Sequence, residues 1–331
     1  MKMFKISFML LLLIQALSGR ASAQETDQDF TFPQIPPFRS AAPATPPRIV
    51  VRETPRVPET LSSYRLEPVA VDEAYVRRTA SAFGLELTAE AALGGRWEIT
   101  EAGSDPSRKR SLTVYEASGG LTYKLPGVLF APLATQPELP SEAVALALAV
   151  RFLRETDLLP ADARTDLEHV RFSPTTLTER DTREGRDLRQ IVTNLDVRLT
   201  RTLDGYEVRG PGAKLYVTFG DRGQIVGVTK VWRTIQRAEE SLPTLQPEEA
   251  IRLLQNGAGV MDASFACAQA DVSRMEIVYW MLGPKDEQRS VLPVYRLEGR
   301  CLDASGRNDG DFQAYAPAVR TADLPAGEGG E

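Results

Sequence analysis

The fold turns on Leu188-Arg189-Gln190-Ile191-Val192-Thr193-Asn194-Leu195-Asp196-Val197-Arg198-Leu199-Thr200. Ile191, Thr193, Leu195, Val197 and Leu199 repeat with a period of two, which places them on one face of an extended chain and predicts a strand with one buried side. Upstream, Val170 to Thr178 alternates more weakly. Downstream, Leu203-Asp204-Gly205 has the residue types of a tight turn, and Val208-Arg209-Gly210-Pro211-Gly212 those of a second turn or a bulge. Leu215, Val217 and Phe219 then alternate as far as Gly220-Asp221-Arg222-Gly223. Ile225, Val226, Val228, Val231 and Trp232 complete the series. The pattern predicts a four-stranded antiparallel meander.

A helix precedes this meander. Pro140-Ser141-Glu142 is a helix-start signal, and Ala143, Leu146, Leu148, Val150, Phe152 and Leu153 continue to a stop near Pro160. Its surface is apolar on almost every side until Arg151, which predicts the most buried helix of the chain. An earlier helix is predicted over Asp72 to Phe83, with Ala74, Val76, Ala80 and Phe83 on its apolar side, followed by strand material at Trp97, Ile99 and from Leu112 to Leu125. A third helix opens at Leu245-Gln246-Pro247-Glu248-Glu249-Ala250, where proline suits the first turn and two carboxylates face the positive helix end. Met275 to Leu282, Val291 to Leu302 and Phe312 to Ala318 supply its strands. The expectation is an α+β fold of two to three packed units over residues 69–135, 136–243 and 244–320, each a helix on a curved antiparallel sheet.

The run Leu203-Asp204-Gly205-Tyr206-Glu207-Val208-Arg209-Gly210-Pro211-Gly212-Ala213-Lys214-Leu215-Tyr216-Val217-Thr218-Phe219-Gly220-Asp221-Arg222-Gly223-Gln224-Ile225-Val226-Gly227-Val228 resembles the core hairpins of FTP domains, the fungalysin/thermolysin propeptide modules. Those modules show an Asp-Gly turn, a short alternating strand, and a second Asp-x-x-Gly turn leading into a Val-rich strand. Tyr206-Glu207 replaces the usual Val-Pro. The unit around Glu248-Glu249-Ala250 is similar to the related PepSY and YycI-type modules. The resemblance implies a cystatin-like helix on a curved sheet and binding without catalysis, with a protease or an envelope protein as the partner. No protease domain follows in this chain.

The first 23 residues read as a cleavable export signal: Lys2 and Lys5, an apolar run from Phe8 to Ile14, Gly19, and the small residues Ala21-Ser22-Ala23. Cleavage between Ala23 and Gln24 predicts a secreted or periplasmic protein with no integral membrane span, because the apolar run is shorter than the roughly 20 residues a span needs. The formal net charge is −6. Loss of Lys2, Lys5 and Arg20 would make it −9, a sign that disfavours nucleic acid or anionic lipid as the general partner. Nine prolines between Gln24 and Pro68 suggest a disordered spacer over 24–68, and residues 321–331 suggest a disordered tail. In an exported protein the two cysteines, Cys267 and Cys301, predict a disulfide.

Catalytic signals are sparse. His169 is the single histidine, too few for a zinc-protease motif, and it stands beside no nucleophile motif of a Ser-His-Asp type. No Gly-x-Ser-x-Gly elbow or phosphate-binding loop is present. The reading is of a protein without catalytic, cofactor or metal sites, the alternatives being an envelope scaffold or a carboxylate-dependent hydrolase. Asp303, Asn308, Asp309 and Asp311 lack EF-hand spacing and read as a polar hairpin turn. The candidate partner contacts are Arg183 and Arg186, in a mixed-charge loop, and the pair Tyr279-Trp280. On an alternating strand one of that pair should point outward.

Overall fold

The computed structural model describes residues 46–321, except 88–91, 93, 102–108, 130–135, 161–169, 182 and 264–266. The signal segment with Ala23 and Gln24, residues 24–45 of the spacer, His169, and the tail from residue 322 lie outside the described residues. In chain order the elements are β1 (Arg48–Val51), β2 (Thr60–Leu66), α1 (Glu73–Ala82), β3 (Arg96–Thr100), β4 (Ser111–Tyr115), β5 (Leu121–Lys124), α2 (Pro126–Leu129) and α3 (Glu142–Glu155). There follow β6 (Val170–Arg180), β7 (Asp187–Leu199), β8 (Thr202–Leu203), β9 (Tyr206–Arg209), β10 (Lys214–Phe219), β11 (Ile225–Val231) and β12 (Ile235–Pro243). The last group is α4 (Pro247–Gln255), β13 (Val260–Asp262), β14 (Gln269–Trp280), β15 (Ser290–Val291), β16 (Pro293–Leu302) and β17 (Asn308–Pro317).

These strands form three sheets. Sheet 1 has the order β3-β4-β5-β11-β10-β7-β6, all antiparallel. Sheet 2 has the order β13-β17-β16-β14-β9-β8, with β1 paired to β14, and sheet 3 is β12-β2-β15. Strands make up 47% of the structure and helices 16%, so the fold is β-rich, and the expected series of cystatin-like helix-plus-sheet units is overturned. The physical reason lies in strand pairing across the expected boundaries. β5, from the first expected unit, pairs with β11 of the second, and β9 leaves the meander to join β14.

The spacer expectation is also corrected where it is described. Arg48-Ile49-Val50-Val51 runs parallel to Gln269–Val272 of β14, and Thr60–Leu66 is the central strand of sheet 3. Both segments cover strand edges that would otherwise carry unpaired main-chain groups. Arg52 fastens the first by ion pairing with Asp271 at 2.6 Å.

Sheet 1 carries α1 and α3 on one face. Val76, Ala80, Ala145, Ala149 and Leu153 bury themselves against Leu112, Val114, Leu121, Val197, Leu215, Val217 and Val228. Each fully buried branched aliphatic there contributes about 1.5–3 kcal/mol. α1 starts on Asp72, whose carboxylate accepts from the Tyr75 amide at 2.7 Å. α3 is less enclosed than its composition predicts: only its sheet-facing residues are fully buried, and Val144 remains 50% exposed. α4, with Pro247 in its first turn, packs Ala250 and Leu254 into the core of sheet 2.

Candidate functional site

Alternation along sheet 1 puts apolar residues under the helices and polar ones on the opposite face. Cross-strand register aligns those polar residues into a row with one member per strand: Glu98, Thr113, Thr122, Thr229, Tyr216, Arg198, Arg171. A second row beside it is Thr100, Ser111, Lys124, Gly227, Thr218, Asp196, Ser173. Most of these side chains are half-buried or exposed. The acidic end lies at β3 and the basic end at β6.

The basic end is the most organised part. The Arg198 guanidinium lies over the Tyr216 ring, 4.9 Å from its centroid, and donates to Asp196 Oδ2 at 3.2 Å. Thr218 takes the other Asp196 oxygen at 2.7 Å. From sheet 2, Glu207 of β9 reaches across: its Oε1 pairs with Arg171 at 2.7 Å, and its Oε2 pairs with Arg209. Lys214 stands two residues from Tyr216 on the same face. Burial lowers its pKa, as do the nearby charges of Arg198 and Arg209.

Next to this cluster β6 is an edge strand. It pairs with β7 along its whole length, whereas β10 pairs with β7 only over Leu195–Leu199. From Pro174 to Arg180 every residue of β6 is exposed. Leu177 and Leu188, exposed at 44% and 53%, are two of the three exposed large hydrophobics among the described residues. Exposed apolar side chains on an unpaired edge are a feature that strand-adding partners use.

The sequence-predicted contacts divide. Arg183 and Arg186 lie exposed in the turn at the tip of this hairpin, where Arg186 pairs with Glu184 at 2.6 Å and the Arg183 amide donates to Asp181. Tyr279 and Trp280 are corrected: both are buried, at 0% and 4% exposure. Both faces of β14 are covered at that point. Tyr279 meets Tyr64 and Tyr206 on one side, and Trp280 meets Tyr315 at 4.4 Å on the other. Neither presents a surface to a partner.

Cys267 and Cys301 form a disulfide, with Cα atoms 5.1 Å apart, that ties the approach to β14 to the neighbouring strand β16. The acidic segment from Asp303 is a hairpin turn in which Asp303 accepts from the Ser305 and Arg307 amides. Those bonds lower the pKa of its carboxyl, the Ser305 hydroxyl first and the Arg307 amide next.

Sequence reasoning missed two buried arginines at the seam between the sheets. Arg201 stacks over Trp232 at 4.4 Å and donates to the Arg233 carbonyl. Arg233, 2% exposed, donates to the carbonyls of Leu282, Gly283 and Asp286 at 2.8, 2.8 and 2.5 Å. Burial pulls its pKa down to about 10. The only sequence signal for either was its place just past the end of a predicted strand.

No family model matches the chain, and no curated protein matches it. A crystal structure of an uncharacterized protein from Eubacterium rectale is similar over 78% of this chain and 82% of its own, with 11% identity and a TM-score of 0.34. A likeness at that level carries no argument about function.

Proposed function

We propose that this protein is an exported binding module that engages a partner protein through the open edge of sheet 1, without catalysing a reaction. Export rests on the N-terminal charge, apolar run and small-residue order, and the disulfide suits an oxidising compartment. The edge strand β6 carries the binding reading: eleven residues paired on one side only, exposed from Pro174 onward, with Leu177 and Leu188 at the surface. Its main-chain donors and acceptors suit an extended segment of another chain. The likeness of residues 203–228 to propeptide-type modules supports the same direction, restraint or chaperoning of a protein partner.

A displayed library of random peptides, selected against the purified mature chain, tests this. Enriched peptides should bind the native protein and lose at least roughly tenfold in affinity when Leu177→Lys and Leu188→Lys charge the hairpin. Peptides that bind this double variant as well as the native chain, or a library that yields no binder, would defeat the edge-binding reading. Near-ultraviolet circular dichroism of the variant checks that the buried aromatic residues keep their environment.

A further inference from the structure

The geometry points to a small-oxyanion site on the polar face of sheet 1, formed by Arg198, Lys214 and Arg209 where β7 and β10 meet β9. The ligand class is a carboxylate, sulfate or phosphate group.

Charge and hydrogen bonding give two separate grounds. Four cations, Arg171, Arg198, Arg209 and Lys214, share this corner with two carboxylates, Asp196 and Glu207, on a chain whose net charge is −6. Arg171 and Arg198 are direct cross-strand neighbours, a placement in which like charges repel. Both carboxylates are already committed. Asp196 holds Arg198 and Thr218, one on each oxygen, and Glu207 holds Arg171 and Arg209 in the same way. Lys214 is therefore left without a carboxylate among the described residues.

The second ground is a set of orphan donors. The Nε–H groups of Arg198 and Arg209 are buried and have no hydrogen-bond partner, although the two side chains as wholes are 39% and 30% exposed. Buried donors are nearly always satisfied, so each exception calls for an acceptor. A water molecule would accept a bond and leave the surplus charge unanswered. An oxyanion answers both, and charge-assisted bonds from guanidinium and ammonium groups are the stronger kind.

This inference goes beyond the edge-binding reading and stands without it, because the two tests alter different residues. Titration with sodium sulfate, sodium phosphate and sodium acetate at constant ionic strength, followed through the arginine Nε–H resonances, decides it. The Arg198 and Arg209 signals should move along a saturating curve, while that of Arg183, at the hairpin tip, stays still. Lys214→Gln should raise the midpoint at least roughly tenfold, and Arg198→Lys should do the same, since a lysine has no planar fork. Saturation by acetate alone assigns a carboxylate site, and saturation by sulfate and phosphate alone a tetrahedral-anion site. Shifts no larger than those of Arg183, shifts that never saturate, or a midpoint unchanged in Lys214→Gln would each overturn the proposal.

Discussion

Tyr279 sits with its hydroxyl fully inside the protein, donating to the Ser62 carbonyl at 2.9 Å and standing 3.4 Å from the Asp204 carboxylate. Tyr64 packs edge-on against it. Asp204 is held there by a turn that needs positive φ at two successive positions, 51° at Asp204 and 81° at Gly205, and Asp-Gly is the pair best suited to it. Burial, and next the Asp204 carboxylate, push the Tyr64 hydroxyl up to about 12. Tyr279 and Tyr295 are raised further, in both cases chiefly by burial. A phenol whose folded pKa exceeds its unfolded value near 10 stabilises the fold fully below pH ~10, and loses that contribution as pH rises through the folded pKa. Spectrophotometric titration at alkaline pH should therefore show a class of tyrosines that ionise only at or above pH ~12, or abruptly as the chain unfolds. Titration of all nine tyrosines near their ordinary value in the folded protein would contradict the buried network.

Between residue and whole molecule lie the joints that hold one sheet to another. The loop from Leu282 to Arg289 is fixed at three places. Arg233 grips its carbonyls, the Gln288 side chain bridges the Leu282 amide and the Trp280 carbonyl, and the Ser118 hydroxyl donates to the Pro284 carbonyl at 2.8 Å. The last contact links this loop to the β4–β5 turn of sheet 1. β9 closes the same joint from the other side, and it approaches β14 so closely at Gly210 that a Cβ there would lie 2.4 Å from the Met281 carbonyl. Removing the Arg233 guanidinium leaves three carbonyls short of a donor. Arg233→Met should cost on the order of 2–4 kcal/mol, read as a lower urea midpoint at unchanged slope. A variant within ~0.5 kcal/mol of the native chain would show that the loop is held by its other contacts.

Taken whole, the protein is two sheets whose strands come from distant parts of the chain, with a third small sheet over their junction, so non-local pairing dominates. The disulfide closes a separation of 34 residues within sheet 2, worth about 3–4 kcal/mol on the chain-entropy account. Material recovered from an extracytoplasmic fraction is expected to begin at Gln24, by mass spectrometry, and to lose about that much stability when reduced. An intact N-terminus, or equal denaturation curves with and without reductant, would contradict this. The local code was legible: the period of two from Ile191 to Leu199 placed Val197 and Leu199 in the core, and Asp72 and Pro247 sit where helix-start chemistry puts them. The rows on the polar face could have been drawn only as separate strands, because alternation assigns a side and not a neighbour. The sequence by itself thus determined which segments extend, which coil and which side of each strand is apolar, since these follow from side-chain spacing along the chain. Only the tertiary structure decided that β5 pairs with β11, that β1 and β9 share the edge of β14, and that Arg198 and Lys214 meet Arg209. Main-chain hydrogen bonds are almost indifferent to side-chain identity, so partners are selected by the burial and edge coverage of the complete fold.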